Sequence, residues 1–441
     1  MISICLLIST NSFAQEVYKI NLQSAKELAV SENLQIDNAR KDIAISKKKV
    51  WETTAIGLPQ ASASLSYNNY IDLPTTLVPA AMFNPQAEEG EMIALQFGTT
   101  HNASFQFSAN QLIFSGEYIV GLQAAKTYKF LSQQNLDKTI EDVLQNVYQT
   151  YYTLLFAIEN QKVLENSVKD MQKSYDETKE IYQAGLVDKT SLDQLELNLR
   201  SLNNSLSSIN RQIETQEKLL KFQLGLDIND SIEVEGNLEN AFEQTNLEST
   251  LLKSLDVGSN VNYKIVETQE ALQSLNVKRE KSAYLPTLSA FYQHQQSGQG
   301  DEFNFYKNSD NWFPANIIGA SLNIPIFSSG SRNAKVSQAQ IELSKIENSK
   351  LQLEQSLKLE MEMAKSDLSN SFETYLKEKE NLVLSKSIYE KGLEKFKAGT
   401  ISSIELTQLN IQYLTSQTSY YSSILNVMNN KIKIDKLLGK L

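Results

Sequence analysis

Two stretches of 68 residues, Glu117–Ala184 and Ser331–Ala398, contain no proline and one glycine each, Gly121 and Gly392. Proline and glycine are the residues that most often stop a helix, so both stretches read as unbroken helices. At a rise of ~1.5 Å per residue each would run for about 100 Å, more than a compact domain can hold. Apolar residues recur every seventh position in the second stretch, at Met361, Leu368, Tyr375, Leu382, Tyr389 and Phe396. Val147, Leu154, Val168, Tyr175 and Tyr182 keep the same grid in the first, interrupted at Gln161. Ile140, Leu144, Tyr151 and Ile158 fall three or four places away. That 3–4 spacing marks a coiled-coil seam.

A tight reversal follows each long stretch. Ala184-Gly185-Leu186-Val187 and Ala398-Gly399-Thr400-Ile401 put glycine where a left-handed helix cap is needed. Asp188 and Ser402 come three residues later, at the N-cap of a returning helix. The first return helix is read over 190–224 and the second over 403–438. Shorter helices, about Leu22–Val30 and Leu34–Ala55, precede them. Leu58-Pro59, Ile113-Phe114-Ser115, Tyr175, Ala184-Gly185, Gln194-Leu195 and Leu224-Gly225 recur in the same order. Their counterparts are Leu285-Pro286, Ile326-Phe327-Ser328, Tyr389, Ala398-Gly399, Gln408-Leu409 and Leu438-Gly439. The chain therefore reads as two tandem copies, about 15–225 and 241–441, joined by a connector over 226–240. The first copy carries extra residues between its proline and its phenylalanine.

Four segments switch to period two: about 61–70, 101–113, 287–296 and 316–327. Ala61, Ala63, Leu65 and Tyr67 alternate with small polar residues, as do Ala103, Phe105, Phe107 and Ala109. Each is close to the ~10 residues of an outer-membrane strand with one lipid face and one wet face. Four strands cannot close a barrel, and lipid tolerates no open edge, so strands entering a membrane require several copies of the chain. The stretches about 71–99 and 297–315, with Tyr306 and Trp312, read as surface loops.

Composition removes several function classes. With 41 Lys+Arg against 52 Asp+Glu the chain is acidic, which argues against nucleic-acid binding. No run approaches the ~20 apolar residues of a spanning helix. One cysteine and two histidines cannot build zinc clusters or a disulfide framework, and no metal or other cofactor is expected. No phosphate loop, nucleophile elbow or acid–histidine pair points to an enzyme. The short apolar run from Met1, with Ser12-Phe13-Ala14 after it, reads as a signal peptide cleaved after Ala14, and Cys5 would leave with it.

These residues resemble the TolC-like outer-membrane efflux family. The likeness rests on the two-copy plan, Leu-Pro before each first strand, Ile-Phe-Ser after each second strand, and Ala-Gly-(Leu/Thr)-(Val/Ile) at each reversal. It implies a mainly α protein with a small β part. Long antiparallel coiled-coil helices would form a trimeric α-barrel, and four transmembrane strands per chain would contribute to a shared β-barrel. It also implies a homotrimer spanning outer-membrane lipid and periplasm. The hairpin tips Ala184, Gly185, Leu186, Val187, Ala398, Gly399, Thr400 and Ile401 would meet a periplasmic adaptor and, with it, an inner-membrane pump. The family's constriction maps onto Glu405, Gln408, Thr190, Ser191 and Phe396, and its gating arginine onto Ile401. Of the familiar charges only Glu405 is present. The implied role is a passive exit duct for small molecules or proteins, with drug or metabolite efflux the commoner use.

Plainer readings stand beside these. Ser402-x-x-Glu405 is also a capping box. Lys47-Lys48-Lys49 and Lys278-Arg279-Lys281 either meet lipid phosphates or complement helix C-termini. Tyr148, Tyr151 and Tyr152 suit seam packing, and His101 and His294 lie in strands away from any metal set. A periplasmic coiled-coil scaffold or adaptor that never inserts is the alternative function; it has no use for the four alternating segments.

Overall fold

The structure is a computed structural model that describes residues 17–307 and 309–441. The expected signal peptide and Cys5 lie outside the described residues. In chain order the elements are β1 (Val17–Ile20), α1 (Leu22–Glu32), α2 (Leu34–Ile56), β2 (Gln60–Asn69), β3 (Thr75–Pro79), β4 (Met92–Gln96), β5 (His101–Phe114), α3 (Gly116–Gln183) and α4 (Lys189–Leu224). Then follow β6 (Ser231–Val234), α5 (Leu238–Glu243), α6 (Leu247–Leu251), α7 (Val261–Ser282), β7 (Thr287–Gly300), β8 (Trp312–Asn323), α8 (Ser331–Lys397) and α9 (Ser403–Leu437). The chain divides into two units. One holds the residues up to Ala44, Leu131–Thr268 and Glu347–Leu441; the other holds Ile45–Phe130 and Gln269–Ile346.

The first unit is helical and contains the main core. Leu144, Leu154, Leu220, Leu224, Leu368 and Ile424 are among its fully buried side chains. Each contributes about 1.5–3 kcal/mol relative to an exposed one. Met361, Leu368, Tyr375 and Tyr389 of the seven-residue grid are buried, as are Val147 and Leu154, whereas Tyr182 is exposed. Helix starts are fixed by side chains that satisfy orphan amides. Asn21 and Ser24 cap α1 reciprocally, Ser24 N donating to Asn21 Oδ1 (2.9 Å) and Asn21 N to Ser24 Oγ (2.8 Å). Asp188 Oδ1 accepts from Ser191 N (2.8 Å) at the start of α4. The stretch read as a connector, 226–240, is partly regular. Its strand β6 pairs in parallel with β1, and α5 begins at Leu238.

The second unit is built on an antiparallel sheet with strand order β2-β5-β7-β8. Its register sets Leu65 opposite Phe105, Phe107 opposite His294, and Tyr292 opposite Ile318. A bulge between Leu112 and Phe114 marks the lower end of β5. Two strands differ from the pattern reading. The strand expected over 316–327 lies at Trp312–Asn323, because Pro325 has no amide hydrogen to continue the ladder. Trp312 therefore opens a strand and not a loop. The strand expected over 287–296 continues to Gly300, its glutamine-rich end paired on both sides. The supposed loop 71–99 holds a separate two-stranded ribbon, β3 with β4. This ribbon falls where the first copy has its extra residues.

Candidate functional site: the hairpin tips and the open sheet

Both helical hairpins reverse through the same hydrogen-bonded turn. Gly185 (φ +76°) and Gly399 (φ +72°) take the left-handed conformation that other residues resist. Leu186 N donates to Ile181 O (3.1 Å) and Thr400 N to Lys395 O (2.9 Å), closing the last turns of α3 and α8. These bonds satisfy carbonyls that would otherwise end the helices unpaired. At the second tip Glu405 N donates to Ser402 Oγ (3.2 Å). Only the serine half of the capping box forms, for the Glu405 carboxylate makes no hydrogen bond among the described residues and is exposed.

The two tips enclose a cavity of about 570 Å³. It gathers Leu186, Val187, Ser191, Phe396, Gly399 and Ile401 of the sequence-derived residues. Ala184, Gly185, Thr190, Ala398, Thr400, Glu405 and Gln408 lie outside its lining. All seven are solvent-exposed. Sequence reasoning missed Glu177 and Glu180, which place two acids on the wall of this cavity. Their signal was faint: two acids three positions apart in a helix already rich in them. Phe396 also packs against a small core of Met171, Leu195, Leu199 and Leu202. Leu186 is 77% exposed, an apolar side chain held out at a turn.

Above this small core the helix seams turn polar. Ser167 Oγ donates to Asn410 Oδ1 (3.2 Å) between buried positions of α3 and α9. Tyr389 and Tyr413 stack with ring centroids 5.4 Å apart. Burial, with Asp170 nearby, pushes the Tyr389 hydroxyl up to about 12. Tyr151 and Tyr152 are buried as seam residues, and Tyr151 Oη donates to Glu235 O (2.5 Å). Burial first, and Glu235 second, push the Tyr151 hydroxyl up to about 12.

In the sheet, register places Ala61, Ala63, Leu65 and Tyr67 on the same face as Ala103, Phe105, Phe107 and Ala109. The opposite face carries Ser62, Ser64, Ser66, Ser104, Gln106 and Ser108. At the end of the sheet away from the helices, Tyr67, His101, Phe303, Phe305, Tyr306 and Trp312 form a chain of ring contacts. Aromatic residues collect in this way where a barrel meets the membrane interface. His101 is bonded to Tyr67 (2.8 Å) and His294 to Asn316 (2.8 Å). Among the described residues no group of His, Cys, Asp and Glu could hold a metal. Arg279 and Lys281 lie in the last turn of α7, as the helix-dipole reading requires, while Lys47–Lys49 precede the last turn of α2. No described helix is long and apolar enough to cross a membrane.

Residues 26–226 match the family model described as outer membrane efflux protein. Over that stretch the chain is similar to the family. No curated protein sequence matches the chain. Solved structures share its fold across nearly the whole length. The CmeC outer membrane channel of Campylobacter jejuni is 18% identical, with a TM-score of 0.73 and coverage of 95% of this chain and 85% of that one. VceC of Vibrio cholerae is 13% identical, with a TM-score of 0.72 and coverage of 95% and 96%. MtrE of Neisseria gonorrhoeae, in its open state, is 15% identical, with a TM-score of 0.70 and coverage of 95% and 88%.

Proposed function

We propose that three copies of this chain close their sheets into one twelve-stranded barrel and form a passive exit duct through the outer membrane, as the likeness to outer membrane efflux proteins suggests. The observation that carries this is the open sheet β2-β5-β7-β8, whose outer strands β2 and β8 each leave one edge unpaired among the described residues. An unpaired edge within lipid costs several kcal/mol per orphan group, and a head-to-tail ring of copies removes every such edge. The apolar face would then meet lipid and the serine-rich face would line water. Such a duct has no energy source of its own. The tip residues Leu186, Val187, Thr400 and Ile401, of which Leu186 and Thr400 are exposed, suit docking of a periplasmic adaptor, through which an inner-membrane pump would drive transport. Export of the chain itself would use the leader ending at Ala14. The cargo class that this reading favours is small molecules, with type I protein secretion as the second use of the same duct.

Two measurements test the reading. Purified protein should run as a trimer and conduct ions in planar bilayers; a monomer without conductance defeats it. Three-fold symmetry would also set three Glu405 carboxylates in a ring at the periplasmic end, favouring cations. Glu405→Gln should lower cation selectivity while leaving folding intact, since the Ser402 cap uses the backbone amide of residue 405. Unchanged selectivity would leave Glu405 with no part in the constriction.

A further inference from the structure

The β3–β4 ribbon is apolar on both faces. Register sets Leu77 opposite Ala94 and Pro79 opposite Met92 on one face, and Val78 opposite Ile93 on the other. Leu77 is 63% exposed and Met92 50%; Met82 and Phe83, at the turn beyond β3, are 72% and 64% exposed. The ribbon pairs with no third strand, so both of its outer backbone edges are also free among the described residues. Isolated two-stranded ribbons are marginal in water, and one that exposes large apolar side chains requires a cover.

We infer that the cover is the same ribbon of the other copies, so that the ribbons pack together across the mouth of the barrel as a lid. This rests on the ring-closure reading above. Three observations select this occupant. The ribbon leaves the sheet from β2, an edge strand that the ring reading pairs with another copy, so ribbon and inter-copy seam are continuous. Between Tyr70 and Thr100 the chain has no Lys or Arg and four acids, Asp72, Glu88, Glu89 and Glu91. With no Lys or Arg the segment has no cation to hold the phosphate-rich headgroups of an outer leaflet, whereas its apolar faces suit those of a second copy. Reach is also adequate. Twelve strands about 4.8 Å apart and tilted by ~40° enclose a ring about 24 Å across. A ribbon of five residue pairs is about 17 Å long and so more than spans the radius. Among the described residues the second copy of the plan has no equivalent ribbon, so each chain supplies one.

The test uses the full-length protein in a Cys5→Ser background. With Leu77→Cys, a short bismaleimide should link copies to one another. In a second variant, residues 75–96 are replaced by Asn-Gly. It should keep the trimer mass and show a single-channel conductance about twofold or more above the parent, because the mouth is uncovered. A monomer by mass removes the ring reading and the lid with it. A trimer in which Leu77→Cys stays unlinked, or in which loss of the ribbon leaves conductance unchanged, overturns the lid and leaves the ring standing. Labelling of Leu77→Cys by a bulky maleimide on intact cells would likewise overturn it, by showing that face open to the medium.

Discussion

Gly225 and Gly439 occupy matching places in the two copies, and substituting them should have unequal costs. Both end a return helix in a left-handed turn, with φ of +80° and +63°. Leu226 N donates to Lys221 O (3.0 Å) in the first and Lys440 N to Asp435 O (2.9 Å) in the second. Their surroundings differ. A Cβ on Gly225 would stand 2.3 Å from Glu32 O and 2.5 Å from Glu32 C, both backbone atoms that cannot rotate away. A Cβ on Gly439 would find nothing nearer than Glu141 Oε1 at 3.8 Å. Alanine in the left-handed region costs ~1–2 kcal/mol at either site. The lost freedom of the unfolded chain offsets ~0.4–1 kcal/mol of this at both sites. Overlap with packed backbone adds ~1–3 kcal/mol at Gly225 alone. Gly225→Ala should therefore destabilise by about 2–4 kcal/mol and Gly439→Ala by about 1 kcal/mol. Helix melting in detergent, followed by circular dichroism for both variants and the parent, measures the difference. Asparagine sharpens the comparison, since it tolerates the left-handed turn but still carries a Cβ. Gly439→Asn should be close to neutral and Gly225→Asn should not. Equal effects at the two sites would refute the claim that the α4 terminus is locked against the α1–α2 junction.

Tyr151→Phe removes the bond to Glu235 O and should cost about 1 kcal/mol, read by the same melting; a parent-like curve would show the bond to be idle. Burial holds the Glu141 carboxyl above its ordinary 4.5, against the pull of Lys436. Its stability contribution is thus complete below about pH 4.5 and is lost as pH rises through the raised folded value. Glu141→Gln should gain stability on the parent between pH 4.5 and neutrality, and a constant difference across that window would contradict the burial account. Ser402→Ala should lower stability by about 1 kcal/mol without changing ion selectivity, which separates the cap from any charge effect of Glu405.

The helices were legible because each carries its signal locally. Caps such as Asp188 and Ser402, glycines at the tips, and a seven-residue grid all lie within the segment they shape. The alternating residues of β2 and β5 were legible for the same reason. What escaped depends on distant partners. Four-residue strands such as Val17–Ile20 show no periodicity, and nothing near them names Ser231–Val234 as the strand they join. The ribbon Thr75–Pro79 with Met92–Gln96 was hidden by Pro74, Pro79 and Pro85, which mimic a loop. At the tips the residues Leu186, Phe396 and Ile401 were readable, but their convergence with Glu177 and Glu180 on one cavity is a tertiary fact. The extent of β8 was misjudged because an apolar run, Ile324 to Phe327, continues the alternation past Pro325, where pairing has already stopped.

The parallel pair β1–β6 sets a clock on synthesis. Val17 sits opposite Ser231 and Ile20 opposite Val234, where Ile20 is almost completely buried. A ribosome adding ~5–20 residues per second needs about 10–40 s to travel from the first strand to the second. Helices α1 to α4 can coil within microseconds of being free to do so. The amino-terminal strand therefore emerges early and docks late, after the whole first copy has been made. Until then Ile20 has no pocket and β1 has a bare backbone edge, so the strand must wait unpaired for residues 231–234.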